Sequence, residues 1–361
     1  KVVRSIVERQ NMNLWKNTAA VLKWFQAIPN KQSHSFICFD VVDFYPSITE
    51  PLLRSALAFA EQFAALTQSD IDIIMHSRRS LLFQGGRPWI KNNAQCNFDV
   101  AMGSYDGAEI CELVGAFLLS KLSVHVDEAG IGLYRDDGLA VLKNAPGPVA
   151  DRTRKSIIEV FKQYDLKITI DVNLSTVNFL DVTLSLDTGK FQPYRKPGDA
   201  PLYVNAMSNH PPSILRNIPD MIARRVSSIS ADSGVFADAA PAYCNALAAS
   251  GLPANIKYID PTPPAAMNGS KQKRKRKRNV VWFNPPYSKN VRTNIAGTFL
   301  RLIDEHFPKG SKVNKIFNRF NVKVSYSCLP NMAHIISGHN KRQLCVQETD
   351  KPCNCRHKDQ C

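Results

Sequence analysis

Three aspartates stand where apolar strands should end. Asp40 follows Phe36-Ile37-Cys38-Phe39, and Asp136-Asp137 lie between the apolar runs 131–134 and 139–142. Carboxylates at the ends of adjacent strands can share cations, because neighbouring strands lie about 5 Å apart and the ions of a two-metal site roughly 3.5–4 Å apart. The chemistry served is phosphoryl or nucleotidyl transfer, which must neutralise phosphate charge and activate an attacking hydroxyl. Magnesium suits it, taking a few hard oxygens and leaving positions for water and substrate phosphate. An Asp-Asp-Gly triplet by itself is more often a plain acidic hairpin turn.

The surrounding pattern supplies elements to hold those residues. Apolar spacing predicts a helix over 11–25, a buried strand at 36–39 and a helix over 51–63 capped by Thr49, with Pro51 close behind. A helix over 106–122 has Asp106 in the capping position and Glu109 three residues on, a capping box. Residues 131–134 and 139–142 read as a hairpin whose turn signal is Asp137-Gly138. A helix is expected at 149–164, then strands near 166–172, 177–186 and 190–195. A helical stretch follows over 211–249, then a Pro- and Gly-rich linker, and one further helix near 290–306.

With 361 residues, 44% of them hydrophobic, the chain can bury a sizeable core in two or three subdomains. A net charge of +15 favours a polyanionic partner, since each neutralised phosphate releases condensed counterions. An anionic membrane surface is the rival partner; no apolar run is long enough for a membrane span, and nucleic acid rather than membrane is the partner expected. Cys38, Cys96, Cys111, Cys244 and Cys328 are scattered in apolar surroundings, as buried thiols of a reducing compartment would be. The run Lys271–Arg278, including Lys273, Arg274, Lys275 and Arg276, reads as a nucleic-acid arm or a nuclear import signal, otherwise as a solvated linker. Cys353, Cys355 and Cys361, with His357 and the more distant Cys345 as further donors, resemble a partial zinc site, though structural zinc wants four ligands and a thiol-bearing tail is the plainer reading. Asn284-Pro285-Pro286-Tyr287 matches an amino-methyltransferase tetrapeptide, but no glycine-rich cofactor loop accompanies it, and a two-proline loop is the better reading.

Phe39-Asp40-Val41-Val42-Asp43-Phe44-Tyr45-Pro46-Ser47-Ile48 resembles motif A of reverse transcriptases, with an aromatic five residues after the aspartate. Ala101-Met102-Gly103-Ser104 resembles motif B, and Tyr134-Arg135-Asp136-Asp137 resembles motif C, all three in the expected order. Met102 stands where glutamine is common, and Arg135 where an apolar residue is. Further on, Asn178-Phe179-Leu180-Asp181-Val182, Tyr194-Arg195-Lys196-Pro197, Tyr203 and Ser208-Asn209-His210-Pro211 resemble the region after the palm in Penelope-like retroelements. So do Ser325-Tyr326-Ser327-Cys328 and Cys353-Asn354-Cys355-Arg356, which resemble their segment leading into a GIY-YIG endonuclease. The chain, from Lys1 to Cys361, reads as a piece of a longer polyprotein without that endonuclease.

The resemblance implies an α+β right-hand polymerase: residual fingers at 1–39, an antiparallel palm with helices at 40–210 and a helical thumb at 211–251. A linker at 252–280, a helical C-terminal extension at 281–345 and a cysteine-rich tail at 346–361 would follow. It implies an RNA-directed DNA polymerase extending a primer with dNTPs on an RNA or DNA template. Asp40 and Asp136 would hold two Mg2+ ions, supported by Asp137. Tyr45 would lie under the incoming sugar and exclude a ribose hydroxyl; Gly103 and Ser104 would face template and nucleotide. Arg135, Arg195 and Lys196 would meet nucleic-acid backbone. Two rivals stand beside this: an inactive nucleic-acid-binding derivative, and an RNA-dependent RNA polymerase, which the aromatic Tyr45 disfavours.

Overall fold

The structure is a computed structural model that describes residues 2–79, 82–84, 87–89, 98–127, 130–143, 147–261, 280–329 and 335–340. In chain order the elements begin with α1 (Val2–Arg9), β1 (Asn13–Leu14), α2 (Thr18–Ala27), β2 (His34–Val41), α3 (Phe44–Ser47), α4 (Glu50–Glu61) and α5 (Gln68–Ser77). A small hairpin follows, β3 (Leu82–Gln84) and β4 (Arg87–Trp89), then α6 (Gly107–Leu122), β5 (Ile131–Tyr134), β6 (Asp137–Lys143) and α7 (Gly147–Lys162). Next come β7 (Ile168–Leu174), β8 (Thr176–Phe179), β9 (Val182–Ser185), β10 (Phe191–Pro193), α8 (Pro212–Ser228) and α9 (Ser233–Ala249). The last are β11 (Val281–Phe283), α10 (Ile295–His306) and β12 (Val322–Val324).

The chain divides into two units: Lys1–Ala200 with Arg224–Ala242 and Tyr258–Pro261, and Pro201–Ala223 with Tyr243–Lys257 and Thr262–Cys361. The first is built on a mixed five-stranded sheet of order β1-β5-β6-β2-β7, antiparallel except where β1 runs parallel to β5. Strand alternation sends Ile37, Phe39 and Val41 of β2 to one face, into a core shared with α4, α6 and α7. Phe36 and Leu139 lie in a second core on the other face, with Trp15, Val21, Phe25 and the three-stranded sheet β10-β9-β8. Helix α6 is buried nearly all round, from Ile110 to Leu122, as a helix apolar on every side must be.

Local chemistry explains most element ends and corrects several expectations. Thr49 does cap α4, its hydroxyl accepting from the Leu52 N–H at 3.4 Å. The helix expected from residue 11 begins only at Thr18, because Asn17 caps it by accepting from Ala20 N–H at 3.1 Å. Asn13 and Leu14 instead form β1. Asp106 precedes α6 but makes no capping bond; its carboxylate pairs with the buried Arg78. The strand expected over 177–186 is two strands, turning at Leu180 with φ of +54°. Residues 1–39 supply β1 and most of β2 to the large sheet, so the 39/40 boundary falls within β2. Helix α1, α5 with its Thr67–Asp70 capping box, and β11 and β12 had no expectation attached.

In the second unit β11 and β12 form a two-stranded parallel sheet beside α10, whose Phe299 stacks on Phe283. Pro286 extends that pairing as a bridge to Ser327, and the Tyr287 N–H donates to the Ser327 carbonyl. This is the role of the Asn-Pro-Pro-Tyr tetrapeptide. No helix among the described residues is long and apolar enough to cross a membrane. Cys111 is buried as expected, but Cys38 and Cys244 are half-buried and Cys328 is exposed. Cys96, the 271–278 run, the extension beyond Asn340 and Cys345, Cys353, Cys355, His357 and Cys361 lie outside the described residues.

Candidate active site

The β2–β6 ladder brings the aspartates together. Its register pairs His34 with Lys143 at one end and Asp40 with Asp137 at the other. Directly opposed residues project to the same face, with Cβ atoms about 4.5–5.5 Å apart. Alternation puts Asp40 and Asp137 on the face of Phe36, Cys38, Leu139 and Val141. The second core covers the middle of that face and leaves its aspartate end half-open. Asp136 sits beside them in the β5–β6 turn, and its carbonyl accepts from the Val41 N–H at 3.1 Å.

The turn differs from its expected form. Asp137 pairs with Tyr134, so the two loop residues are Arg135 and Asp136, not Asp137-Gly138. Arg135 takes φ of +57°, where glycine is usual, and Asp136 does not; that is the sign pattern of a II′ hairpin turn. The Arg135 guanidinium lies 5.7 Å from the Tyr134 ring centroid, a cation–π contact that helps offset the backbone cost. Gly138, read as a turn glycine, is instead a strand residue: a Cβ there would overlap the Phe39 ring across the ladder.

Electrostatics mark the cluster as short of positive charge. Burial, and then the charge of Asp136, raise the Asp40 carboxyl above its ordinary value. Asp137 is pushed up to about 6, first by burial and then by Asp136 and Asp40, against a lowering by Lys196. Cys38 rises to about 11, from burial and then Asp137, Asp171 and Asp40. Like charges opposed across a ladder destabilise a sheet, so a proton or a cation between them is favoured. A hard divalent cation fits this all-oxygen donor set. Among the described residues no group of three or more His, Cys, Asp or Glu side chains forms a ready-made cage. Magnesium needs none, since it binds through one or two carboxylates and completes its shell with water and substrate phosphate.

Tyr45 is buried in α3, which Asp43 opens in a left-handed conformation of φ +50°. The Cys111 thiol of α6 lies close to its hydroxyl, and Arg135 and Asp136 lie within electrostatic reach of both. Burial raises the Tyr45 hydroxyl and pushes the Cys111 thiol up to about 12. Gly103 (φ +88°) and Ser104 form the exposed turn that leads into α6. The Ser104 hydroxyl is enclosed with no hydrogen-bond partner among the described residues. Lys196 stands after β10, near enough to bias Asp137; Arg195 is exposed next to it. Arg78 has no role in the sequence reading and Cys111 only that of a buried thiol, because each meets its partner across a long stretch of chain that no local spacing encodes. A cavity of about 840 Å³ lies elsewhere, at the His34–Lys143 end of the ladder beside Trp24.

No protein-family model matches the sequence, and no curated protein does. Among solved structures the chain is similar to telomerase from Candida albicans in complex with a TWJ fragment of telomeric RNA, with a TM-score of 0.48, 10% identity, and coverage of 69% of this chain and 45% of that one. It is similar to apo telomerase from Candida tropicalis truncated from its C-terminal domain, with a TM-score of 0.41, 12% identity, and coverage of 54% and 43%. It is also similar to the RNA-dependent RNA polymerase of a human picobirnavirus, with a TM-score of 0.42, 11% identity, and coverage of 69% and 52%. The chain spans about half the length of these proteins.

Proposed function

We propose that this chain is the palm-containing part of a reverse transcriptase of the Penelope-like kind, extending a primer with deoxynucleotides on an RNA template. The observation that carries the reading is Asp40 opposed to Asp137 across β2 and β6, with Asp136 in the adjoining turn, close enough for its charge to raise both carboxyls. These come from two segments separated by almost a hundred residues, each resembling a polymerase motif. An acidic hairpin turn would need no third carboxylate on the neighbouring strand.

In this reading Asp40 and Asp136 hold two Mg2+ ions and Asp137 supports them. Bound there, the ions supply charge neutralisation on the triphosphate and a lowered pKa for the attacking hydroxyl. The chain's own residues do the rest. The ladder fixes the carboxylates in advance, so little reorganisation is needed as charge develops. Tyr45, held in the same core as Cys111, presents a ring edge to the sugar and crowds out a 2′-hydroxyl. Gly103 leaves open space where a side chain would stand. Lys196 and Arg135 sit at the rim, where they would meet phosphate. The primer 3′-hydroxyl attacks the α-phosphate, the bond to the β-phosphate oxygen breaks, and pyrophosphate leaves.

The test is primer extension on an RNA template with dNTPs and magnesium. Asp136→Asn should reduce extension by about a thousand-fold or more, as loss of a main electrostatic stabiliser does, with template binding nearly unchanged. Full extension by that variant would refute the metal role. Binding without extension in the unmodified chain would leave a nucleic-acid-binding fold that does no chemistry.

A further inference from the structure

The second unit carries a surface that none of the chemistry above uses. In the parallel pair β11–β12, Val281 lies beside Val322, Trp282 beside Lys323 and Phe283 beside Val324. The face bearing Phe283 meets α10, where Phe283 and Phe299 stack with ring centroids 4.0 Å apart. The pleat sends Trp282 and Lys323 to the opposite face. On that face Trp282 is 60% exposed, and in the turn before β12 the Phe320 side chain is 87% exposed. Parallel strands are ordinarily buried on both faces, so an open face carrying a tryptophan invites a ligand.

Charge narrows the ligand. Residues 280–329 contain eight lysines and arginines against Asp304 and Glu305. Arg319 is paired with Asp304. Arg292, Arg301, Lys309, Lys312, Lys315 and Lys323 make no ion pair among the described residues. The centre of a protein–protein interface is depleted of charge, which argues against a protein partner. An exposed flat ring beside an unpaired lysine, in a segment of net positive charge, is what a single strand requires: every base offers a face to stack and every linkage a phosphate.

We propose that the β11–β12 face binds single-stranded nucleic acid. One base stacks on Trp282, and the Lys323 ammonium beside it meets the adjoining phosphate. A duplex is excluded because its base faces are already stacked. This site is independent of the three aspartates and would stand if the polymerase reading fell.

The test uses the full chain and fluorescence anisotropy with an RNA and a DNA strand of one sequence, about ten nucleotides long, and the matching duplex. Trp282→Ala should weaken single-strand binding about ten-fold or more, while Trp282→Phe, which keeps a stacking ring, should bind nearly as the unmodified chain does. Lys323→Gln should flatten the slope of log affinity against log salt by about 0.7, one phosphate's worth. Tighter binding of either strand supports the site and identifies the sugar it prefers. Unchanged affinity in Trp282→Ala overturns it. So does an equal loss for dextran sulfate, a polyanion without bases.

Discussion

At the residue scale, Asp137 is the most perturbed carboxyl of the described cluster, held near 6 by burial and by its two acidic neighbours. An acid whose folded value lies above its unfolded value of about 3.9 keeps its proton more tightly when folded. The metal-free protein should therefore gain stability as pH falls from above 6 towards 4, and lose it as pH rises back through 6. The gain is on the order of 1 kcal/mol after solvent screening. Thermal melts of the metal-free chain across that range should show it, and Asp137→Asn should flatten the profile. Magnesium should reverse the trend, because it binds the carboxylate form; its stabilising effect should fade below pH 6. Tyr45 makes a separate prediction. Tyr45→Ala should raise ribonucleotide incorporation about ten-fold, the equivalent of roughly 1.4 kcal/mol of discrimination, read by competition between rNTPs and dNTPs. Unmoved selectivity would reduce Tyr45 to a packing residue.

At the element scale, the β2–β6 ladder is the feature on which site geometry depends. It runs from His34–Lys143 to Asp40–Asp137 without a break, and the Phe39 ring lies across Gly138. Gly138 is thus required for close approach, and its backbone needs no special conformation, since it is absent from the positive-φ residues. Gly138→Ala should destabilise by about 1–3 kcal/mol through overpacking, measured by denaturant unfolding. Adding Phe39→Leu should restore part of the loss by making room; no recovery would place the strain elsewhere. Helix α6 backs the same ladder with a nearly continuous apolar surface. At its start Asp106 is taken up by the buried Arg78.

At the scale of the whole molecule, a net charge of +15 sets how the chain meets polyanions. Affinity for single strands should fall steeply with salt, log affinity losing about 0.7 per phosphate contact against log salt. Replacing Lys273, Arg274, Lys275 and Arg276 with glutamine should lower that slope by roughly 2–3 if the run touches the strand, and leave it unchanged if the run is a solvated linker. Salt titration of the two proteins separates these outcomes.

The sequence by itself determined the strand cores at 36–39, 131–134 and 139–142, the Thr49 cap and the three aspartates, because apolar periodicity, capping chemistry and motif order are written within a few residues of one another. Tertiary structure alone decided the rest. Ladder register set Asp40 against Asp137, a long-range contact moved Asp106 from a cap to an ion pair, and a ring on the neighbouring strand turned Gly138 from a turn residue into a strand residue. Tyr45 and Cys111 meet only because α3 and α6 pack together. Each of these outcomes depends on which surfaces touch after burial, and local spacing carries no record of that.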